Sequence, residues 1–180
     1  EAGGGRYTSH AWHPAFLEGT KTFAFEVCAQ RGWTAPDAIV APLGHGTLVL
    51  GAYRGFSALH AAGWIDRPPR LLCAQAAGAD PIAAERHGAS GADNPLADGI
   101  RIDRPVRAAA IRTAIAATDG DAIAIDGSRT ESALDRLHRG GFYVEPTSAV
   151  APAALEVYRD KGILDRGDDV VVPLTGSGLT

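Results

Sequence analysis

Three short stretches of this chain combine residue types able to do chemistry. The first is Gly44-His45-Gly46-Thr47, which follows the apolar run 38–43 and opens a helical pattern. A strand, a Gly-x-Gly turn and a helix start gather several backbone N–H groups at the positive end of a helix dipole, an arrangement that holds anions and phosphate above all. Gly44 and Gly46 permit positive φ and close approach, and Thr47 adds a hydroxyl. The plainer alternative is a tight connection that uses glycine for conformation only. His45 is either a general base or a side chain directed out of a loop whose backbone does the binding. The second stretch is Thr175-Gly176-Ser177-Gly178, whose glycines flank Ser177 directly, so the G-x-S-x-G spacing of a nucleophile elbow is absent. Its plainer reading is a turn after a buried strand. The third is His10 and His13 with Glu18; Pro14 makes this an irregular segment without a third ligand at a known offset, and no metal site is expected. The dinucleotide fingerprint G-x-G-x-x-G fails as well. Val49 stands in place of its third glycine, and the next strand, 70–76, ends without an acidic residue to hold a ribose.

The elements that must position these residues follow from the apolar pattern. Residues 1–6 read as a linker or hinge, because Gly3, Gly4 and Gly5 leave the backbone unconstrained. Residues 18–33 read as one helix, with Phe23 facing Val27, Ala24 facing Cys28, and Gly32 as its left-handed C-terminal cap. Strands are expected over 38–43, 70–76, 121–126, 142–145 and 168–174, and helices over 47–63, 106–120, 128–141 and 146–162. Between 77 and 104, rich in glycine, aspartate and proline, the expectation is loop with a short helix at 83–87 and a brief strand near Ile100. Ser128 and Glu131 have the spacing of a capping box, and Thr147 or Ser148 that of a cap. Apolar strands without clean alternation, separated by helices, predict an α/β architecture: a mostly parallel sheet with helices on both faces.

Composition narrows the function classes. The 180 residues carry 17 basic and 21 acidic side chains, a net charge of −4, with no Lys/Arg cluster, which argues against a nucleic-acid partner. No apolar run approaches the roughly 20 residues of a membrane helix, so a cytoplasmic protein without membrane contact is expected. Cys28 and Cys73 are too few and too far apart for a disulfide framework and read as buried thiols. There is no methionine, and the chain stops just after an apolar strand and the 175–178 turn, inside what reads as a site. The expectation is part of a longer protein, with an exposed edge that favours association.

Four segments in order, 13–33, 41–56, 141–155 and 170–179, together resemble the threonine synthases, a branch of the fold-type-II pyridoxal-phosphate enzymes related to serine/threonine dehydratases and cysteine synthase. The resemblance implies that residues 7–180 are the C-terminal part of the large, cofactor-binding domain of a tryptophan-synthase-β-like fold. It implies pyridoxal 5'-phosphate as cofactor, its phosphate cradled by Gly44, His45, Gly46, Thr47 and the amide of Leu48, its ring nitrogen met by the hydroxyl of Thr175, with Ser177 second. It implies conversion of O-phosphohomoserine and water to threonine and phosphate, a related lyase or dehydratase acting on a small amino acid being the alternative. A homodimer is implied too. The cofactor-bearing lysine of such enzymes lies in an N-terminal S-F-K-type motif, which this chain does not contain. Neither Lys21 nor Lys161 matches it, so no catalytic residue is assigned and the chain is expected to be inactive without a missing N-terminal half. The other class of reading is a non-catalytic fragment that binds the cofactor phosphate. The segment around Glu145 resembles one near the cofactor, its plainer role being a helix start.

Overall fold

The structure, a computed structural model, describes residues 11–179; the hinge expected at 1–6 and His10 lie outside them. Four strands form one sheet in the order β3-β2-β1-β4: β1 is Ala38–Pro42, β2 Arg70–Ala76, β3 Asp121–Ile125 and β4 Val170–Val171. All pairings are parallel, with Ala38 opposite both Arg70 and Val170, and Leu72 opposite Asp121. The helices are α1 Pro14–Thr20, α2 Thr22–Gln30, α3 Thr47–Ala61, α4 Pro81–His87, α5 Ala108–Ala117, α6 Gly127–Arg139 and α7 Pro146–Asp160.

Parallel strands need crossovers, and burial on both faces explains why β1 and β2 read as continuous apolar runs. Successive side chains still separate by face. Ile39, Ala41, Leu71, Cys73 and Ala122 pack with α1, α2, α3 and α5, whereas Ala38, Val40, Leu72, Ala74, Ile123 and Ile125 pack with α6 and α7. The chain runs β1-β2-β3 toward one edge and then returns to place β4 on the other side of β1. The strand order therefore reverses between β1 and β4. In open sheets of this kind ligands bind at the carboxyl ends of the strands beside such a switch point.

Several sequence expectations need correction. The helix expected over 18–33 is two helices, broken at Lys21. Thr20 Oγ1 donates back to Leu17 O at 3.1 Å and lies 3.3 Å from Thr47 O, while Thr22 Oγ1 donates to Gly19 O at 3.0 Å. These hydroxyls compete with the helix ladder. Gly32 does take positive φ, at 65°. Near Ile100 there is a 3-10 turn, Asp98–Ile100, rather than a strand. The expected strand 142–145 is reduced to one antiparallel bridge, Val144 to Ser177. The cap of α6 is Asp126, whose carboxylate accepts from Arg129 N at 2.9 Å, not Ser128. Both cysteines are free and buried; burial pushes the Cys73 thiol up to about 12, which makes it an inert core residue.

At the amino end of β3, Asp121 receives Arg86 Nε at 2.7 Å and His87 Nε2 at 3.0 Å, pinning α4 to the sheet. Burial alone would raise its carboxyl, but the hydrogen bonds from Arg86 and His87 outweigh it and hold it below the ordinary value. A depressed carboxyl contributes stability above its unfolded value of about 3.9 and loses it as pH falls through the folded value. Asp121→Asn is expected to cost about 1 kcal/mol at pH 7, since Arg86 is partly solvent-screened, and clearly less at pH 3. Urea midpoints at the two pH values check this.

Candidate cofactor site

At the carboxyl end of β1 the chain leaves the sheet through Leu43, whose amide extends the ladder to Ala74 O at 2.8 Å, and turns through Gly44 and His45 into α3. Gly46 is the N-cap of α3, at φ 80° and ψ 13°, with no side-chain cap. The first intrahelical bond is Leu50 N to Gly46 O, at 2.9 Å. The amides of Thr47, Leu48 and Val49 therefore precede any intrahelical acceptor, at the positive end of a helix of 15 residues. Only a glycine fits this cap. A Cβ there would lie 2.5 Å from Ile111 Cδ1, and the backbone is left-handed.

A cavity of about 240 Å³ opens beside Thr47 and Leu48, lined by Gly44, His45, Gly46, Thr47 and Leu48 on one side and by Glu145, Thr147 and Thr175 on the other. The 3-10 turn supplies another wall through Gly99 and Ile100. Five of the candidate residues and Thr175 thus share one chamber at the switch point. Ser177 is not among its lining residues; it sits in the bridge to Val144, and its Oγ accepts from Leu179 N at 3.3 Å. No lysine or arginine lines the chamber among the described residues, so an anion there would be held by amide dipoles and hydroxyls.

The wall carrying Thr175 is tied to the start of α7. Glu145 N donates to Gly176 O at 3.1 Å, Gly178 N to Tyr143 O at 3.1 Å, and Gly176 N to Ser148 Oγ at 2.7 Å. Glu145 is the N-cap of α7 but makes no side-chain cap bond. Thr147 and Ser148, expected as caps, do other work: Thr147 faces the chamber, and Ser148 holds the turn at 175–176. Sequence reading missed Gly99, Ile100 and Thr147 as lining residues. The run Pro146-Thr147-Ser148 was visible, but nothing local tells a cap from a contact made 28 positions later.

The two lysines stand elsewhere. Lys21 Nζ pairs with Glu18 at 2.8 Å, and Lys161 is the exposed C-cap of α7. Neither lines the chamber. Among the described residues no group of three or more His, Cys, Asp or Glu could hold a metal, and no helix is long and apolar enough to cross a membrane.

Comparison with known proteins gives this geometry its context. Residues 1–176 match the family described as pyridoxal-phosphate dependent enzyme. The chain is 37% identical over 180 residues to the threonine synthase of Methanocaldococcus jannaschii, spanning 96% of this chain and 44% of that protein. It is 34% identical over 177 residues to the threonine synthase of Methanosarcina acetivorans, covering 94% of this chain and again 44% of the other. It thus spans less than half the length of these curated relatives. In fold it is similar to the crystal structure of a fungal L-serine ammonia-lyase from Rhizomucor miehei, with a TM-score of 0.71 and 21% identity, over 92% of this chain and 53% of that one.

Proposed function

The chain belongs to the pyridoxal-phosphate-dependent enzymes, and on that premise we propose that residues 7–180 are the C-terminal part of the large domain of a threonine-synthase-like enzyme. The whole protein would convert O-phosphohomoserine and water into threonine and phosphate. Identity of 34–37% to threonine synthases along nearly the whole chain supports this substrate over that of a dehydratase, whose likeness here is one of fold. The observation that carries the cofactor reading is the shared chamber: helix-start amides on one wall, a hydroxyl on the other.

The residues present fit the group. The orphan amides of Thr47 and Leu48 with the Thr47 hydroxyl suit a phosphate, and the hydroxyl of Thr175 suits a ring nitrogen. When bound, pyridoxal phosphate supplies an electron-withdrawing ring for chemistry at amino-acid carbons. Thr175, a neutral donor where a carboxylate would enforce a protonated nitrogen, keeps the ring a moderate sink. That favours elimination and replacement over transamination. Glu145 supplies the chamber's carboxylate. With Lys21 and Lys161 away from the chamber, the lysine that carries the cofactor comes from another segment, and this chain alone binds without turnover, as one half of a lyase.

Titrating the purified chain with pyridoxal phosphate, followed by borohydride reduction and peptide mass analysis, tests the reading. Reversible binding without a stoichiometric lysine adduct is expected, and Thr175→Val weakens it about fivefold, the scale of one hydrogen bond. A stoichiometric adduct on Lys21 or Lys161 overturns the assignment of the lysine. Binding indifferent to Thr175→Val reduces the chamber to a plain phosphate site.

A further inference from the structure

We propose that Ser148 is a positioning residue that aims the proton of Thr175 into the chamber, an inference that rests on the reading of Thr175 as the ring-nitrogen partner. Ser148 is fully buried in the first turn of α7. Its Oγ accepts from Gly176 N at 2.7 Å and has two further neighbours, Gly176 O at 3.2 Å and Thr175 Oγ1 at 3.3 Å. A serine hydroxyl carries one proton and two acceptor sites. One acceptor site is taken by the Gly176 amide, and the single proton cannot serve both remaining oxygens.

Two arrangements satisfy this inventory. In one, Ser148 donates to Gly176 O and accepts from Thr175, whose proton is then turned away from the chamber. In the other, Ser148 donates to Thr175 Oγ1, which leaves the threonine proton free to point at whatever acceptor the chamber holds. A neutral ring nitrogen is an acceptor only, so its arrival selects the second arrangement. The chain of donors then runs Ser148 to Thr175 to ligand, and each bond polarises the next. A protonated nitrogen is a donor and selects the first. In either case Ser148 sets which way the Thr175 proton points, and it does so without touching the ligand. The Gly176 amide donates to Ser148 Oγ in both arrangements, and Glu145 N holds the Gly176 carbonyl, so the threonine backbone stays in place while the proton changes partner.

The test is a double-substitution cycle on the 180-residue chain, read by affinity for pyridoxal phosphate and by the ring-nitrogen resonance of the ¹⁵N-labelled cofactor. Ser148→Ala, which removes one buried oxygen and little volume, is expected to weaken binding about fivefold and to shift the resonance in the same direction as Thr175→Val. The double variant is expected to bind no more weakly than Thr175→Val alone, since both changes break one chain of bonds. Amide exchange at Gly176, faster in Ser148→Ala and unchanged in Thr175→Val, reports the lock without the cofactor. If Ser148→Ala leaves affinity and resonance at parental values while Thr175→Val changes both, or if the two losses add, the inference is overturned and the reading of Thr175 stands. If Thr175→Val itself changes nothing, or the parent chain does not bind, the underlying reading falls first.

Discussion

Gly46→Val is expected to abolish measurable retention of pyridoxal phosphate by the chain. The left-handed backbone of residue 46 disfavours any side chain by about 1–2 kcal/mol, and a β-branched one more. The added Cβ would also lie 2.5 Å from Cδ1 and 2.7 Å from Cγ1 of Ile111, a fully buried side chain in the α5 face of the core. Ile111 is packed in the core with little room to give way, so part of the relief falls on the start of α3 and with it Thr47 and Leu48, which line the chamber. Each 1.4 kcal/mol lost at the phosphate is a tenfold loss of affinity, so a fall of tenfold at least is expected. Gly63→Val is the control: it has a similar φ, 72°, nothing within 4 Å of its Cβ, and no place in the chamber. It should lose stability but keep affinity. Equilibrium dialysis of the two variants separates backbone strain from loss of the cradle, and parental affinity in Gly46→Val would refute the role given to that cap.

The second large effect is structural. Gly51→Leu in α3 is expected to destabilise the chain by about 3 kcal/mol, a drop in Tm of about 10 °C at this size. Replacing a helix glycine would by itself stabilise by about 1 kcal/mol. Packing reverses the sign. A Cβ at residue 51 would lie within 2.6 Å of Thr20 Cβ and 2.8 Å of the Thr20 backbone carbon, and one turn on, at Gly55, within 2.7 Å of Lys21 O. Two glycines four apart thus let the α1–α2 junction rest directly on α3, with Thr20 Oγ1 reaching Thr47 O beside the chamber. Backbone atoms cannot retreat as a flexible side chain can, so the junction must separate. A thermal scan showing a change within 1 kcal/mol of the parent would mean that the junction is not a fixed part of the core.

Much of this architecture was legible because its strands carry their own signal. The expected strand 70–76 matches β2 to the residue, and 38–43 and 121–126 match β1 and β3 to within one residue, since a strand buried on both faces must be apolar throughout. The short α4 and the long α3 were equally visible. The failures share a cause. Thr20, Asp126, Ser148 and the turn at Asp98–Ile100 owe their conformations to partners that a local window does not contain: Thr47, the peptide of Arg129, Gly176, and the chamber wall facing Thr147. The candidate site divides in the same way. The Gly-x-Gly turn announces itself by type and spacing. That Thr175, and not Ser177, would face it depends on the bridge between Val144 and Ser177, a pairing of one residue on each side with no periodicity to read.

The short strand β4 bears on how the molecule is made. Val170 pairs with Ala38, so the two walls of the chamber come from segments far apart in the sequence, and their meeting is among the most non-local contacts of the described residues. Strands β1 to β3 and helices α1 to α6 can collapse through contacts between neighbouring elements, whereas the hydroxyl wall forms only once the segment beyond α7 has returned to β1. The apolar body can therefore form before the ligand pocket is complete, and a chain whose β4 pairing is lost would keep the amide wall while its chamber stands open on the hydroxyl side.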